Sequence, residues 1–198
     1  MTMRVLVVCE YSGRVRDAFL ALGHDAWSCD LLPCEGDSTR HVQGDVLNVI
    51  TRGWDLMIAH PPCTHLAVRG ARWFAAKAEE DRQAGRPDRQ QAAIAFARAL
   101  WEAPIARVCV ENPVSILSTH LGKPTQTVQP WWFGHGEVKA TCLWLRGLPP
   151  LVPTSVVEGR EAKVHKMPPS PERWKDRSRT YLGLAKAMAE QWGQLSEG

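Results

Sequence analysis

Two short polar clusters interrupt apolar runs in this chain. The first is His60-Pro61-Pro62-Cys63, after Asp55-Leu56-Met57-Ile58-Ala59. The second is Glu111-Asn112-Pro113, after Arg107-Val108-Cys109-Val110. A thiol just behind two prolines is held on a stiff turn. A helix starting after Thr64 would favour its thiolate, the reactive form. A carboxyl group at the end of a neighbouring strand would face the same crevice. Taken singly, Cys63 reads as a buried inert thiol and Glu111 as a turn cap. Together they describe covalent catalysis on an electron-poor ring. The thiolate adds to C6 of a pyrimidine, and the glutamic acid hydrogen-bonds to N3. C5 then takes a methyl group, a base removes the C5 proton, and Cys63 departs.

Such chemistry needs a rigid frame, and the chain supplies a repeating one. Val5–Val8 reads as a buried strand, followed by the turn Tyr11-Ser12-Gly13 and a helix from Arg14 to Leu22 capped by Gly23. Ala26–Cys29 reads as a second strand ending at Asp30, and Gly44-Asp45-Val46 as the end of a third. The runs 55–59 and 107–110 make the fourth and fifth. A helix with Ile94, Ala97 and Trp101 on one face lies between them. Strands alternating with helices give a mainly parallel sheet with helices on both faces. Ligands bind such sheets outside the carboxyl ends of the strands. Glu10, Ser12, Asp30, His60, Cys63, Glu111 and Asn112 all fall there.

The second half has a different texture. Ala75 to Arg89 is polar, with Gly85 and Pro87 inside it, and is expected to be a mobile loop or frayed helix. Trp131–Gly136 is an aromatic turn, Thr141–Leu145 alternates like a strand, and Leu148–Pro171 is proline-rich and aperiodic. A helix closes the chain at about Leu182–Leu195, with Leu184, Met188 and Trp192 on one face. The expected organisation is one domain over 1–198 with an aromatic, proline-rich, basic subregion at about 124–179.

Composition narrows the classes. Of 198 residues, 44% are hydrophobic and 23% charged, and the net charge is +3. A sizeable core is affordable, and the mild positive charge tolerates an anionic substrate without demanding nucleic acid. Six scattered cysteines without a Cys-x-x-Cys pair argue for a reducing compartment, so a cytoplasmic protein is expected. No run approaches the ~18 apolar residues of a membrane span, and no signal peptide is visible. Metal is not expected either: His24, Cys29, Cys34 and His41 cluster, but Cys-x4-Cys is not a usual structural zinc spacing.

In order along the chain these motifs resemble the C5-cytosine methyltransferase family. Pro61-Pro62-Cys63 matches its catalytic Pro-Cys motif, and Glu111-Asn112-Pro113 its Glu-Asn-Val type motif. Gly44-Asp45-Val46 is similar to its Gly-Asp-Ile motif, whose Asp contacts the donor adenine. Asp30 stands where an acidic residue meets the donor ribose hydroxyls. Lys139-Ala140-Thr141 is a counterpart of the Gln-x-Arg-x-Arg motif, and Thr180–Gly183 with the following helix resembles the last one. The resemblance spans most of 4–145 and 179–193. It implies a Rossmann-like S-adenosylmethionine-dependent methyltransferase fold, with S-adenosylmethionine as donor and S-adenosylhomocysteine as product. It implies Cys63, Glu111 and Asn112 as catalytic residues, and Glu10, Ser12, Gly13, Asp30, Asp45 and Pro61 around the donor. Pro62, Arg69, Arg72, Trp73, Lys139, Arg177 and Arg179 are expected toward the substrate.

Two departures from the family shape the expectation. The first loop reads Cys9-Glu10-Tyr11-Ser12-Gly13, with one glycine instead of two. Only about 35 residues separate Thr141 from Thr180, where family members that read DNA carry a long recognition region. A base-extruding enzyme needs surface to hold a duplex. A free cytosine nucleotide is therefore the preferred substrate and DNA the alternative. Arg160, Lys163, Lys166, Arg173, Lys175, Arg177 and Arg179 would hold phosphate in either case, although Glu158, Glu161, Glu172 and Asp176 dilute them. Two other readings stay open: amino-group methylation of a base, which would not need Cys63, and a donor-binding protein without catalysis.

Overall fold

The computed structural model describes residues 1–163, 167–168, 170–171 and 173–195. The apolar runs do become a sheet. Its strands are β1 (Arg4–Val8), β2 (Asp25–Asp30), β3 (His41–Gln43), β4 (Leu56–Ala59), β5 (Arg107–Pro113), β6 (Gln126–Val128) and β7 (Thr141–Arg146). They lie in the order β3-β2-β1-β4-β5-β7-β6. The first five are mutually parallel, and β7 runs antiparallel to both β5 and β6. Among the described residues six α-helices surround it: α1 (Arg14–Ala21), α2 (Phe74–Gln83), α3 (Arg89–Trp101), α4 (Leu117–His120), α5 (Arg173–Ser178) and α6 (Leu182–Trp192). The mainly parallel sheet is what the alternation of strands and helices predicts, and its class is the Rossmann-like one that the resemblance implies.

Period-two side-chain alternation splits the core into two layers. Val5, Val7, Leu56, Ile58, Cys109 and Leu143 pack toward Val15 and Phe19 of α1 and Leu184, Met188 and Trp192 of α6. Leu6, Val8, Met57, Ala59, Val108, Val110 and Trp144 pack toward Ile94, Ala97 and Leu100 of α3. The central strands are buried on both faces, which is why β1 and β4 read as unbroken apolar runs.

Three features depart from the sequence expectation. The polar stretch 75–89 is mostly helix: α2 occupies 74–83, and only 84–88, with Gly85 and Pro87, is turn and loop. Its Asp81 is buried and ion-paired with Arg86 at 3.0 Å and Arg89 at 2.9 Å, which ties α2 to the start of α3. Strand β6, only three residues long, carried no sequence signal. Trp101 is half-buried, and Leu100 takes the core position beside Ala97. Among the described residues no helix is long and apolar enough to cross a membrane.

Candidate active site

The sheet order reverses direction between β1 and β4, which makes their carboxyl ends the topological switch point. Backbone pairing then dictates who meets whom. Val8 of β1 is level with Ala59 of β4, and Ala59 with Val110 of β5. One or two residues further on stand Glu10, His60 and Glu111, on three adjacent strand ends. His60 and Glu111 continue the parity of Ile58 and Cys109, so they lie side by side. His60 Nδ1 is 3.3 Å from Glu111 Oε2, with side chains 9% and 15% exposed.

Burial disfavours charge on both partners of this pair, but their mutual attraction prevails. Burial acts most strongly against protonated His60, yet the Glu111 hydrogen bond, with the charges of Glu111 and Glu10, lifts its pKa above the ordinary imidazole value. Burial likewise opposes ionised Glu111, but His60 and Lys139 hold its pKa below the usual carboxylate range. Both shifts favour the charged forms, an imidazolium against a carboxylate.

Cys63 is exposed at the mouth of this crevice. No helix begins at Thr64. The Cys63 carbonyl instead accepts the N–H groups of Leu66 (3.0 Å) and Ala67 (2.9 Å) in a turn. The helix dipole expected to favour the thiolate is absent there. Although solvent reaches the thiol, the crevice walls thin its hydration. That desolvation, and then the Glu111 charge, push its pKa up, while Lys139 and Arg177 pull it down.

The loops after β4 and β5 are fastened together. Asn112 Nδ2 donates to the Pro61 carbonyl at 2.8 Å, Ala67 bridges Ser115, and Ile116 N donates to Leu66 O at 3.0 Å. Asn112 is 1% exposed, with Oδ1 unpartnered. It was expected among the catalytic residues, but its location is that of a clamp on the nucleophile loop. Pro61 is buried beneath that loop with its carbonyl taken, whereas Pro62 is exposed beside Cys63.

At the β1 end, Tyr11 stands where the family pattern has its first glycine, and Glu10 precedes it. The buried Glu10 carboxylate accepts Val15 N at 2.7 Å, Arg16 N at 3.3 Å and Ser12 Oγ at 3.3 Å, and so caps α1. Gly13 takes a left-handed φ of 72°, and a Cβ there would meet the Arg16 guanidinium. Cys9 also has a positive φ, 58°, while its N–H donates to Cys29 O at 2.8 Å. Asp30 ends β2 and accepts Leu32 N at 2.9 Å. Asp45 caps the short 3-10 turn Val46–Asn48 through Leu47 N at 2.9 Å. The charges of both aspartates act on Cys9 at the end of β1, so the acidic groups of three strand ends share one side of the crevice.

The residues expected toward the substrate divide. Lys139 and Arg177 both act on the Cys63 thiol, and Lys139 Nζ donates to Arg177 O at 2.9 Å. Arg179 is spent elsewhere, on Glu35 (2.8 and 2.6 Å) and Asp176, as a strut for α5. Trp73 is 54% exposed at the start of α2, with the Arg72 guanidinium 5.1 Å from its ring centre. The Arg69 backbone lies in the same 3-10 segment, Val68–Trp73; its side chain, and residues Lys166 and Glu172, lie outside the described residues. Lys163 pairs with Glu137 and Glu161, and Arg160 lies 3.8 Å from the Trp131 ring centre. Sequence reasoning missed two participants. His60 was noted but given no role, though it follows β4 in register with Glu111. Tyr11 fastens the first loop to α5 through Lys175 O and Ser178 Oγ, both at 3.0 Å; no local signal marks that contact, which joins positions 164 residues apart or more.

No protein-family model and no curated protein matches the chain. Among solved structures it is similar to a prophage-encoded E. coli protein described as a DNA modification methyltransferase. The identity is 14%, the TM-score 0.49, and the match covers 85% of this chain and 56% of that one. The chain thus spans little more than half the length of that protein.

Proposed function

We propose that the protein transfers a methyl group from S-adenosylmethionine to C5 of a cytosine through a covalent bond between Cys63 and C6, with a free cytosine nucleotide as substrate. One observation carries this reading: an exposed thiol lies beside a largely buried carboxyl group that contacts an imidazole at 3.3 Å, at the switch point of a Rossmann-like sheet. The thiolate adds to an electron-poor ring only if charge arriving at N3 is met, and the Glu111–His60 pair is built to meet it. Lys139 and Arg177 favour the thiolate and suit a substrate phosphate.

The residues present fit the donor. It supplies an electrophilic methyl on a sulfonium, and its cationic centre suits the acidic side of the crevice. Asp30 and Asp45 would receive the ribose and adenine end. Glu10 already occupies the first N–H groups of α1, so those groups are not available to a donor carboxylate, and a carboxylate at that place suits an ammonium group.

The preference for a small substrate rests on residues 147–161. Among the described residues they form no separate recognition unit. They are laced onto the aromatic loop through Gly134 N to Ser155 O (2.7 Å), Val157 N to Trp131 O (3.0 Å) and Glu161 N to Gly136 O (3.1 Å). The test is transfer of labelled methyl to CMP, dCMP, CTP, dCTP, single-stranded DNA and duplex DNA in parallel, with Cys63→Ala as control. Label in a free nucleotide that is lost in the variant is the expected result. Label only in DNA overturns the substrate, and label that survives Cys63→Ala points to amino-group methylation and overturns the chemistry.

A further inference from the structure

Resting on that reading, we propose that His60 is the proton store of the site, holding the proton that Glu111 hands to N3 of the cytosine as Cys63 adds to C6. Geometry carries the assignment. His60 follows β4 between the two strand ends that bear Glu10 and Glu111. Its Nδ1 faces Glu111 Oε2 at 3.3 Å, and its buried Nε2 has no partner among the described residues. Only one Glu111 oxygen is bonded among the described residues, so the other is left for a substrate nitrogen. A carboxylate that must donate a proton needs one within reach, and no other titratable donor is bonded to it.

The step balances. Cys63 gives its thiol proton to solvent, the Sγ–C6 bond forms from the thiolate, the C5–C6 π pair becomes a C4–C5 double bond, and the C4–N3 π pair goes to N3. N3 takes a proton from Glu111, and Glu111 takes the proton of His60. C5 then bonds to the methyl carbon, and the donor's C–S bond breaks to leave a neutral thioether. Loss of the C5 proton to a base and cleavage of Sγ–C6 restore the aromatic ring. The N3 proton returns through Glu111 to His60. The charged groups that bear on His60 are Glu111 from β5, Glu10 from the end of β1, and Lys139 from the segment before β7; His60 in turn acts on Asp30.

A structural role for His60 would predict the same losses at every pH, so the test reads pH dependence. Adduct formation without donor lets C5 take a solvent deuteron and lose its own proton. Exchange of the cytosine C5 hydrogen into deuterated water therefore follows addition and N3 protonation alone. His60→Asn keeps an amide donor toward Glu111 but stores no proton. Its exchange rate relative to the unaltered protein is expected to fall about 10²-fold near pH 8. The ratio should climb as pH drops toward the carboxylate range. A ratio that does not change with pH overturns the proposal while leaving the cytosine reading standing. No exchange by the unaltered protein on any cytosine substrate overturns both. Independently of folding in the variant, the 13Cε1 resonance of His60 is expected to titrate above 6.5 in the unaltered protein and lower in Glu111→Gln; titration below 6.5 in the unaltered protein refutes the store.

Discussion

Asn112 offers the sharpest separation between holding the nucleophile and activating it. Its amide donates one 2.8 Å hydrogen bond to the carbonyl of Pro61, and both residues are buried. Asn112→Ala leaves that carbonyl without a donor. An unsatisfied buried acceptor costs about 1–3 kcal/mol. Taking ~2 kcal/mol and ~2–4 °C per kcal/mol for a chain of this size, Tm falls by about 4–8 °C. The loop is not released outright, because the Cys63 carbonyl still accepts from Leu66 and Ala67, and Ala67 still bridges Ser115. Displacement of the thiol by about 1 Å is enough to lower kcat by up to ~10²-fold. The amide is neutral, so the pH dependence of Cys63 alkylation by iodoacetamide should keep its midpoint. Asn112→Asp supplies a shape-matched control. Its carboxyl donates to Pro61 only when protonated, so its activity relative to the unaltered protein should recover as pH falls. Calorimetry, alkylation and turnover on the same samples decide the matter. A Tm within ~1 °C of the unaltered protein refutes the clamp, and a lowered Tm with full kcat refutes its effect on Cys63.

Three further outcomes follow from the same geometry. Gly183→Ala sets a Cβ on the backbone carbonyl of Phe133. A backbone atom cannot rotate away, so α6 must shift from the 130–135 loop at a cost of at least ~1–3 kcal/mol, seen as a lower denaturation midpoint. Glu10→Gln keeps an acceptor for Val15 N but removes a buried charge. Burial raises the Glu10 pKa, although His60 and the α1 N–H groups offset part of the rise; the folded state therefore binds this proton more tightly than the unfolded one. The Glu10 contribution to stability is present below the ordinary value of 4.5 and is lost as pH rises through the raised pKa. The variant should show a flatter fall of Tm across that window, and an unchanged slope refutes the assignment. Lys139→Gln with Arg177→Gln removes the two charges that lower the Cys63 pKa. Alkylation should shift to higher pH and KM for a phosphorylated substrate should rise about 10-fold, on the order of one lost charge-assisted hydrogen bond; an unshifted alkylation profile refutes their placement.

How much of this was legible in sequence depended on the range of the interaction that fixes each feature. β1, β4 and β5 declared themselves because both faces of a central strand are buried and the apolar run is continuous. The polar residues at their ends followed from chain order. β7 declared itself as a strand through the alternation at 141–145, but its antiparallel direction did not, nor did the short β6: direction is set by backbone pairing with β5, which leaves no trace in local composition. Helix α2 was hidden for a different reason. Its stretch is polar because Asp81 is satisfied by arginines 5 and 8 residues on, an ion-paired anchor that hydrophobic periodicity does not register. Arg179 looked available because it sits among other cations, while its partner Glu35 lies 144 residues away. The thiolate argument at Cys63 failed on one local fact, a turn where a helix was expected.

The one-glycine loop, which reads as a defect against the family pattern, becomes intelligible through charge. Tyr11 takes the glycine's place and ties the loop to α5, while Glu10 beside it closes the first N–H groups of α1, and the strain of a positive φ falls on Cys9, at a cost on the order of 1–2 kcal/mol. With Glu10 there, the helix start is part of an acidic wall that continues through Asp30 and Asp45. Around Cys63, Lys139 and Arg177 supply positive charge, and Lys139 also acts on His60 and Glu111. On the proposed function, a crevice that carries both carboxylates and cations suits two ligands of opposite charge, a cationic sulfonium donor and an anionic nucleotide. It would orient each by repulsion from like charge as much as by attraction to opposite charge.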